Sequence, residues 1–312
     1  MIPLPPDEVA MAAQLACLLE ASAWKPGNVS RMHDFADCRF EDFLVSVVAV
    51  GPAFRESPRS PVGETILRAV RATHELVGTN TNLGMAIVLA PLAKAAGTGH
   101  PDGLRAALVE VLKGLTVEDA QRSYEAIRMA APAGLGKVER CDVHDGDADV
   151  TLLEAMELAR DRDVLASEYV TGFELTFDVG YTTLLRLWEG GCGLPDSILQ
   201  TFLTILARTP DSLIARKNGP AAAERISGLA QSVLKAGGVF SEKGFGEVQK
   251  LDLMLRDDLH RMNPGTTADL VAAAIFVFLV EGRKLNCFKD LLRRWQTPQL
   301  SRAVSRPANL VE

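Results

Sequence analysis

Eleven consecutive apolar residues, Leu270 to Val280, set the first limit on what this chain can fold into. A helix that is apolar all round must be covered on every side. About twenty such residues would be needed to cross a bilayer, so the run reads as a helix buried in a globular protein. The elements needed to cover it share its period. Helical spacing and composition predict helices over Glu8–Glu20, Phe40–Val50, Glu64–Val77 and Met85–Ala96, then from Thr116 to about Ala131. Phe40–Val50 is short enough to be a strand, but its Phe40, Phe43, Leu44, Val47 spacing suits a helix ending at Gly51-Pro52. Further helices are expected at Leu152–Arg160, Val164–Glu189, Ser197–Ala207, Ala221–Ala236, Phe245–Met262, Thr267–Glu281 and Phe288–Trp295. Gly172 and Gly180 inside one of them point to close packing or a kink. With no repeat and no β-rich stretch, the expected fold is all-α: one large multi-helix bundle over 1–312. Residues 132–150 are the best candidate for an internal linker.

The 47% apolar and 23% charged content belongs to a folded globular protein. A net charge of −7 argues against nucleic-acid binding, which needs a basic face. Cys17, Cys38, Cys141, Cys192 and Cys287 are scattered without C-x-x-C pairing, which favours reduced thiols in a cytoplasm. The start, Met1 to Asp7, has neither the basic nor the apolar part of a signal peptide. No membrane role is expected, and nothing in the pattern opposes a homodimer.

The polar groups cluster where helices start or stop. Trp24-Lys25-Pro26-Gly27-Asn28-Val29-Ser30-Arg31 breaks the first helix, with Lys25 and Arg31 as cations and Glu20 and Asp34 as flanking carboxylates. A rigid cationic turn suits a polyanion; the same residues would also serve as a plain helix stop. Thr79-Asn80-Thr81-Asn82-Leu83-Gly84 leads into an apolar helix, and free N–H groups at a helix start attract anions. Asn263-Pro264-Gly265-Thr266-Thr267-Ala268-Asp269 precedes the most buried helix. It has more polar groups than one cap requires, enough to cradle a phosphate or, through Asp269, a hydrated Mg²⁺. Arg216-Lys217 reads alone as an exposed loop.

Other signals are weaker. Glu168 and Asp178 lie ten residues apart on a largely apolar helix, where a buried carboxylate must be paired or functional. Asp252 sits likewise among leucines. The acidic stretch Cys141 to Asp149 is no EF-hand: counted from Asp145, position six is Val150 and position twelve is Met156. The five histidines show no metal-ligand spacing, and no Walker A, G-x-S-x-G or G-x-G-x-x-G motif occurs.

Taken in order, these stretches resemble the triphosphoribosyl-dephospho-CoA synthase family over about residues 8–285. The matching features are Lys25-Pro26-Gly27 through Ser30-Arg31, Asn80-Thr81-Asn82-Leu83-Gly84, Glu168 with Gly172-Phe173, Asp211 to Gly219, and Pro264 to Leu270. Where the family has Asn-Thr-His-Lys-Gly, this chain has Asn82 and Leu83 in place of the His and Lys. The resemblance implies an all-α transferase that splits ATP at its glycosidic bond. Adenine would leave, and the triphosphoribosyl group would join a hydroxyl of 3′-dephospho-CoA. Lys25, Arg31, Thr79, Asn80, Thr81, Asn82, Arg216, Lys217, Asn263, Gly265 and Thr266 would then hold the nucleotide, with Mg²⁺ on Asp269 or Asp252. Glu168 and Asp178 become the acid–base candidates, with Glu20 or Asp34 in reserve. The departures leave open another acceptor, such as a methanopterin-type precursor. An ADP-ribose hydrolase lacks its adjacent Asp pair in a loop, since Asp257-Asp258 reads as helical; a non-catalytic helical scaffold would show an exposed apolar groove.

Overall fold

The computed structural model describes residues 1–295 apart from 139, 147, 258–259 and 283–287. Among them the chain opens with α1 (Pro6–Ser22), α2 (Phe40–Glu56), α3 (Val62–Val77) and α4 (Leu83–Thr98). Next come α5 (Leu104–Lys113), α6 (Val117–Ala130), α7 (Leu152–Ala159) and α8 (Val164–Thr171). A π-helix (Leu175–Tyr181) runs directly into α9 (Thr182–Glu189). The second half holds α10 (Leu194–Arg208), α11 (Ser212–Asn218), α12 (Pro220–Lys235), α13 (Glu242–Leu255), α14 (Gly265–Glu281) and α15 (Phe288–Arg293). No strand occurs among the described residues, only an isolated bridge between Ser30 and His33. None of the described helices is long and apolar enough to cross a membrane.

Every residue from Leu270 to Val280 is buried, as an all-apolar helix requires. Helix α14 is covered by α1, α4, α10 and the π-helix. Small side chains permit the close approach: Ala12, Ala13 and Ala16 on α1 and Ala272, Ala273 and Ala274 on α14 are all fully buried. The start of α14 lies inside the protein, so its free N–H groups need an internal acceptor. Asp211 supplies one. Its Oδ2 accepts from the Thr267 backbone N–H at 2.7 Å and the Thr267 hydroxyl at 2.8 Å. Its Oδ1 accepts from the N–H groups of Leu213 at 2.9 Å and Ile214 at 3.1 Å. One buried carboxylate thus caps α11 and α14 together and holds their first turns side by side.

Several elements differ from the sequence expectation. Arg216 and Lys217 belong to a helix rather than an exposed loop, because Asp211 nucleates α11 and Ile214 anchors it with no exposure. Helix α2 continues through Gly51-Pro52 to Glu56; Gln14 of α1 donates to the Val47 carbonyl at 2.9 Å, in the turn that Pro52 loosens. The span 164–189 is three pieces, because Gly172 takes a left-handed conformation that ends α8 and Gly180 packs against Ala274. Helix α13 stops at Leu255, short of Met262, with Arg256 extended and its side chain turned back onto Asp252. Asp257 therefore lies beyond a helix, and Asp258 lies outside the described residues. Helix α5 has no counterpart in the expectation, although Leu104, Leu108 and Leu112 bury one face of it.

Removing the Asp211 carboxylate should leave four donors, three of them buried, without their acceptor. Asp211→Ala is expected to lower the unfolding free energy by about 3 kcal/mol in urea denaturation. A loss below about 1 kcal/mol would mean that the two helix starts do not depend on it.

Candidate active site

The first turns of α4 and α14 converge on one cavity of about 1000 Å³, with α11 alongside them. From α4 and its approach come Thr79, Asn80, Thr81, Asn82, Leu83 and Gly84; from α11, Arg216 and Lys217; from the α14 start, Asn263, Gly265, Thr266 and Asp269. Glu20 of α1 and Asn28 of the following turn complete this end. The cap polar groups are themselves ordered. Asn80 Oδ1 accepts from the Leu83 N–H at 3.1 Å, the Asn82 amide donates to the Thr73 hydroxyl at 2.8 Å, and the Ser46 and Thr81 hydroxyls pair. Ser212 and Thr266 hydroxyls lie 3.0 Å apart, joining the α11 and α14 starts.

Charge is divided within the cavity. Arg140, Arg162, Arg216, Lys217 and Arg261 line it, facing Glu20, Asp37, Asp163 and Asp269. Arg216 pairs with Asp163 at 3.2 Å, yet its Nε is buried without a partner. Burial, with Arg216 adding to it, depresses the Lys217 ammonium pKa. Asp269 stands out: its carboxylate has no hydrogen-bond partner among the described residues. Burial first, then Glu20, Asp211 and Asp163, push its pKa well above the usual carboxylate value, with Arg216 opposing. It lies so close to α4 that a Cβ at Gly84 would overlap Asp269 Oδ2. Only glycine lets the two helix starts meet there.

Two residues expected to bind the nucleotide do not line the cavity. Lys25 has no exposure; it bonds the Glu20 backbone carbonyl, donates to the Ala23 carbonyl at 2.8 Å and pairs with the Glu20 carboxylate at 3.0 Å. It sits beneath the site and holds Glu20, whose pKa burial raises and Lys25 lowers. Arg31 is exposed on the turn, away from the lining. Asp252, expected at a metal, instead accepts from the Gly27 N–H at 2.8 Å and pairs with Arg256 at 2.8 Å. It pins the Pro26-Gly27 turn in place.

The structure places the acid–base pair inferred from the sequence outside the cavity lining. Glu168 is buried, but its carboxylate accepts from Leu175 N at 2.9 Å, Thr176 N at 2.9 Å and the Thr176 hydroxyl at 2.5 Å. It caps the π-helix, which settles the cost of burying it. Asp178 is half-exposed and pairs with Arg105 at 2.7 Å. Neither lines the cavity, and Asp34 instead accepts from Phe40 N at the start of α2. The carboxylates that do line it include Glu20, held in reserve by sequence reasoning, and Asp163 and Asp37, which it missed. Asp163 caps α8 through Leu165 N, and a capping aspartate in sequence carries no sign of what else it faces.

The comparisons with known proteins identify the family. Residues 6–288 match the family described as ATP:dephospho-CoA triphosphoribosyl transferase. The chain belongs to that family. A relative named 2-(5″-triphosphoribosyl)-3′-dephosphocoenzyme-A synthase in Malonomonas rubra is 25% identical over 300 residues, 90% of each chain. One of the same name in Pseudomonas fluorescens is 29% identical over 110 residues, 35% of this chain and 37% of that one. A solved structure named as a triphosphoribosyl-dephospho-CoA synthase, from Archaeoglobus fulgidus, superposes with a TM-score of 0.61 at 27% identity. It covers 77% of this chain and 99% of that one. Membership makes the protein a transferase and sets the helical scaffold aside.

The two displaced carboxylates separate structure from chemistry. Asp178→Asn is expected to leave transferase turnover within about twofold of the parent, as for an exposed pair. Glu168→Gln should cost about 1–3 kcal/mol of stability, seen as a lower melting temperature, while turnover of the folded fraction persists. A selective loss of turnover in either variant would return that residue to the reaction.

Proposed function

We propose that the cavity binds ATP and transfers its 5-triphosphoribosyl group to a hydroxyl of 3′-dephospho-CoA, releasing adenine. The observation that carries this reading is the meeting of the α4 and α14 starts, a half-buried arginine with an orphaned Nε and a carboxylate without a hydrogen bond among the described residues, all lining one cavity. The triphosphate would lie against the free N–H groups of α4 and α14, with Arg216 and Lys217 as counter-charges. In the reaction the C1–N9 bond breaks with its electron pair going to adenine, and the acceptor oxygen bonds to C1. The proton released by that hydroxyl balances the one adenine takes up.

Glu20 suits the role of base and of counter-charge to the oxocarbenium-like C1. Burial raises its pKa and Lys25, by charge and hydrogen bond, restrains the rise. Asp269 fits Mg²⁺. No group of three His, Cys, Asp or Glu side chains among the described residues forms a metal cage, but Mg²⁺ is ordinarily held by one or two carboxylates with phosphates and water. When bound, the ion would neutralise charge on the phosphates. Asp252 does not fit, since Gly27 and Arg256 occupy its oxygens.

The acceptor deserves a direct comparison, because the family's His-Lys pair is Asn82 and Leu83 here, an amide engaged with Thr73 and a buried leucine. Purified protein incubated with ATP and Mg²⁺ should release adenine with dephospho-CoA and not with a methanopterin-type acceptor. Absence of adenine with both would overturn the reading. Glu20→Gln should slow adenine release by about 10²–10⁴-fold while ATP still binds. Asp269→Asn should weaken ATP binding in the presence of Mg²⁺ and leave the melting temperature of the free protein near the parent's; unchanged ATP affinity would remove Asp269 from the metal role.

A further inference from the structure

Asp163 is a carboxylate in the lining of a cavity that handles a polyphosphate, and a negative charge there repels phosphate oxygens. Its charge also adds to the burial that raises the Asp269 pKa. The hydrogen bonds around it show what offsets that cost. Oδ1 accepts from the Leu165 N–H at 2.9 Å, capping α8, and the Ser212 hydroxyl donates to the same oxygen at 3.5 Å. The Val164 N–H donates to the Ser212 hydroxyl at 3.3 Å, and that hydroxyl lies 3.0 Å from Thr266 Oγ1. These contacts seat the α8 start against the starts of α11 and α14 and fix Asp163 in place. Its Oδ2 then accepts from Arg216 Nη1 at 3.2 Å.

Arg216 depends on that one contact. A guanidinium carries five N–H donors in a rigid fork. Among the described residues Asp163 is the only acceptor of the Arg216 side chain, and Nε is buried without one. The two side chains are 24% and 26% exposed, and an ion pair so placed adds little to stability. Its use lies in orientation: an arginine held by nothing spreads over many rotamers, and a spread guanidinium cannot offer paired N–H groups to a phosphate. We infer that Asp163 is a positioning residue, which is anchored at the α8 start and holds the Arg216 guanidinium at the cavity with its remaining donors free for phosphate oxygens. This rests on the polyphosphate binding proposed above. Helix capping alone would also account for an aspartate here, but the two roles differ in sign. Asn caps a helix as well as Asp does. If Asp163 were a cap and nothing more, Asp163→Asn would remove a repelling charge and tighten polyphosphate binding. If it orients Arg216, the same substitution sets an amide in place of the cation's only acceptor and weakens binding.

The test is calorimetric and does not depend on turnover. The full chain is titrated with inorganic triphosphate in EDTA, so that a lost metal ligand cannot imitate a misplaced cation. Asp163→Asn should bind the probe about fivefold or more weakly than the parent, with its melting temperature near the parent's. In an Arg216→Gln background, Asp163→Asn should cause no further loss, and this comparison also cancels any effect of the substitution on folding. The assignment is overturned if Asp163→Asn binds triphosphate as tightly as the parent or more so, if its loss persists with Arg216→Gln present, or if the parent does not bind the probe. A parent that binds triphosphate yet releases no adenine from ATP would defeat the transfer reading instead, and the double-mutant cycle would still decide how Arg216 is held.

Discussion

A helix without a polar face cannot end in water on its own terms, and α14 begins inside the protein. Its first N–H groups had to find an acceptor within reach, and the Asp211 carboxylate is that acceptor. Because the other oxygen of Asp211 caps α11, sealing one helix start draws a second beside it. Gly84 then admits the α4 start against Asp269. The starts of α4 and α14 end up around one hollow, with α11 alongside, as the consequence of burying a single apolar helix. The site is the place where the core runs out of side chains to cover its ends.

That arrangement concentrates negative charge in a low-dielectric setting. Glu20, Asp211 and Asp163 raise the cost of ionising Asp269, and the structure offsets the crowded charge unevenly. Lys25 compensates Glu20 from below, Arg216 compensates Asp163 from the side, and helix N–H groups compensate Asp211. Asp269 is left with cations at a distance and no hydrogen bond. Buried carboxylates without partners are expensive to keep, and an enzyme that handles a polyphosphate has use for one. Lys25 illustrates the same economy. Its ammonium never reaches the cavity, yet it shapes the cavity by fixing the charge and position of Glu20.

Much of the architecture was legible in the order of residues. Helical period, the Gly and Pro breaks and the length of the Leu270–Val280 run were sufficient for an all-α fold with one central helix. The polar helix starts at 79–84 and 263–269 were visible because they hold more amide and hydroxyl groups than capping needs. Local patterns failed where a distant residue decided the outcome. Arg216-Lys217 looks like a loop until Asp211 and the α14 start are adjacent. Glu168 looks unpaired until the turn after Gly172 brings Leu175 and Thr176 back onto its oxygens.

The sequence by itself determined the all-α class, the central buried helix and most of the other helices, because helical period depends on neighbours within a few turns. Only the tertiary structure decided which carboxylates face the cavity. Glu20, Asp163, Asp252 and Glu168 are alike in composition and local setting, and a carboxylate's role follows from what occupies its oxygens. For Asp252 that is the N–H of Gly27, 225 positions away; Asp269 makes no hydrogen bond among the described residues. Contacts of that range are set by packing, which no local pattern records.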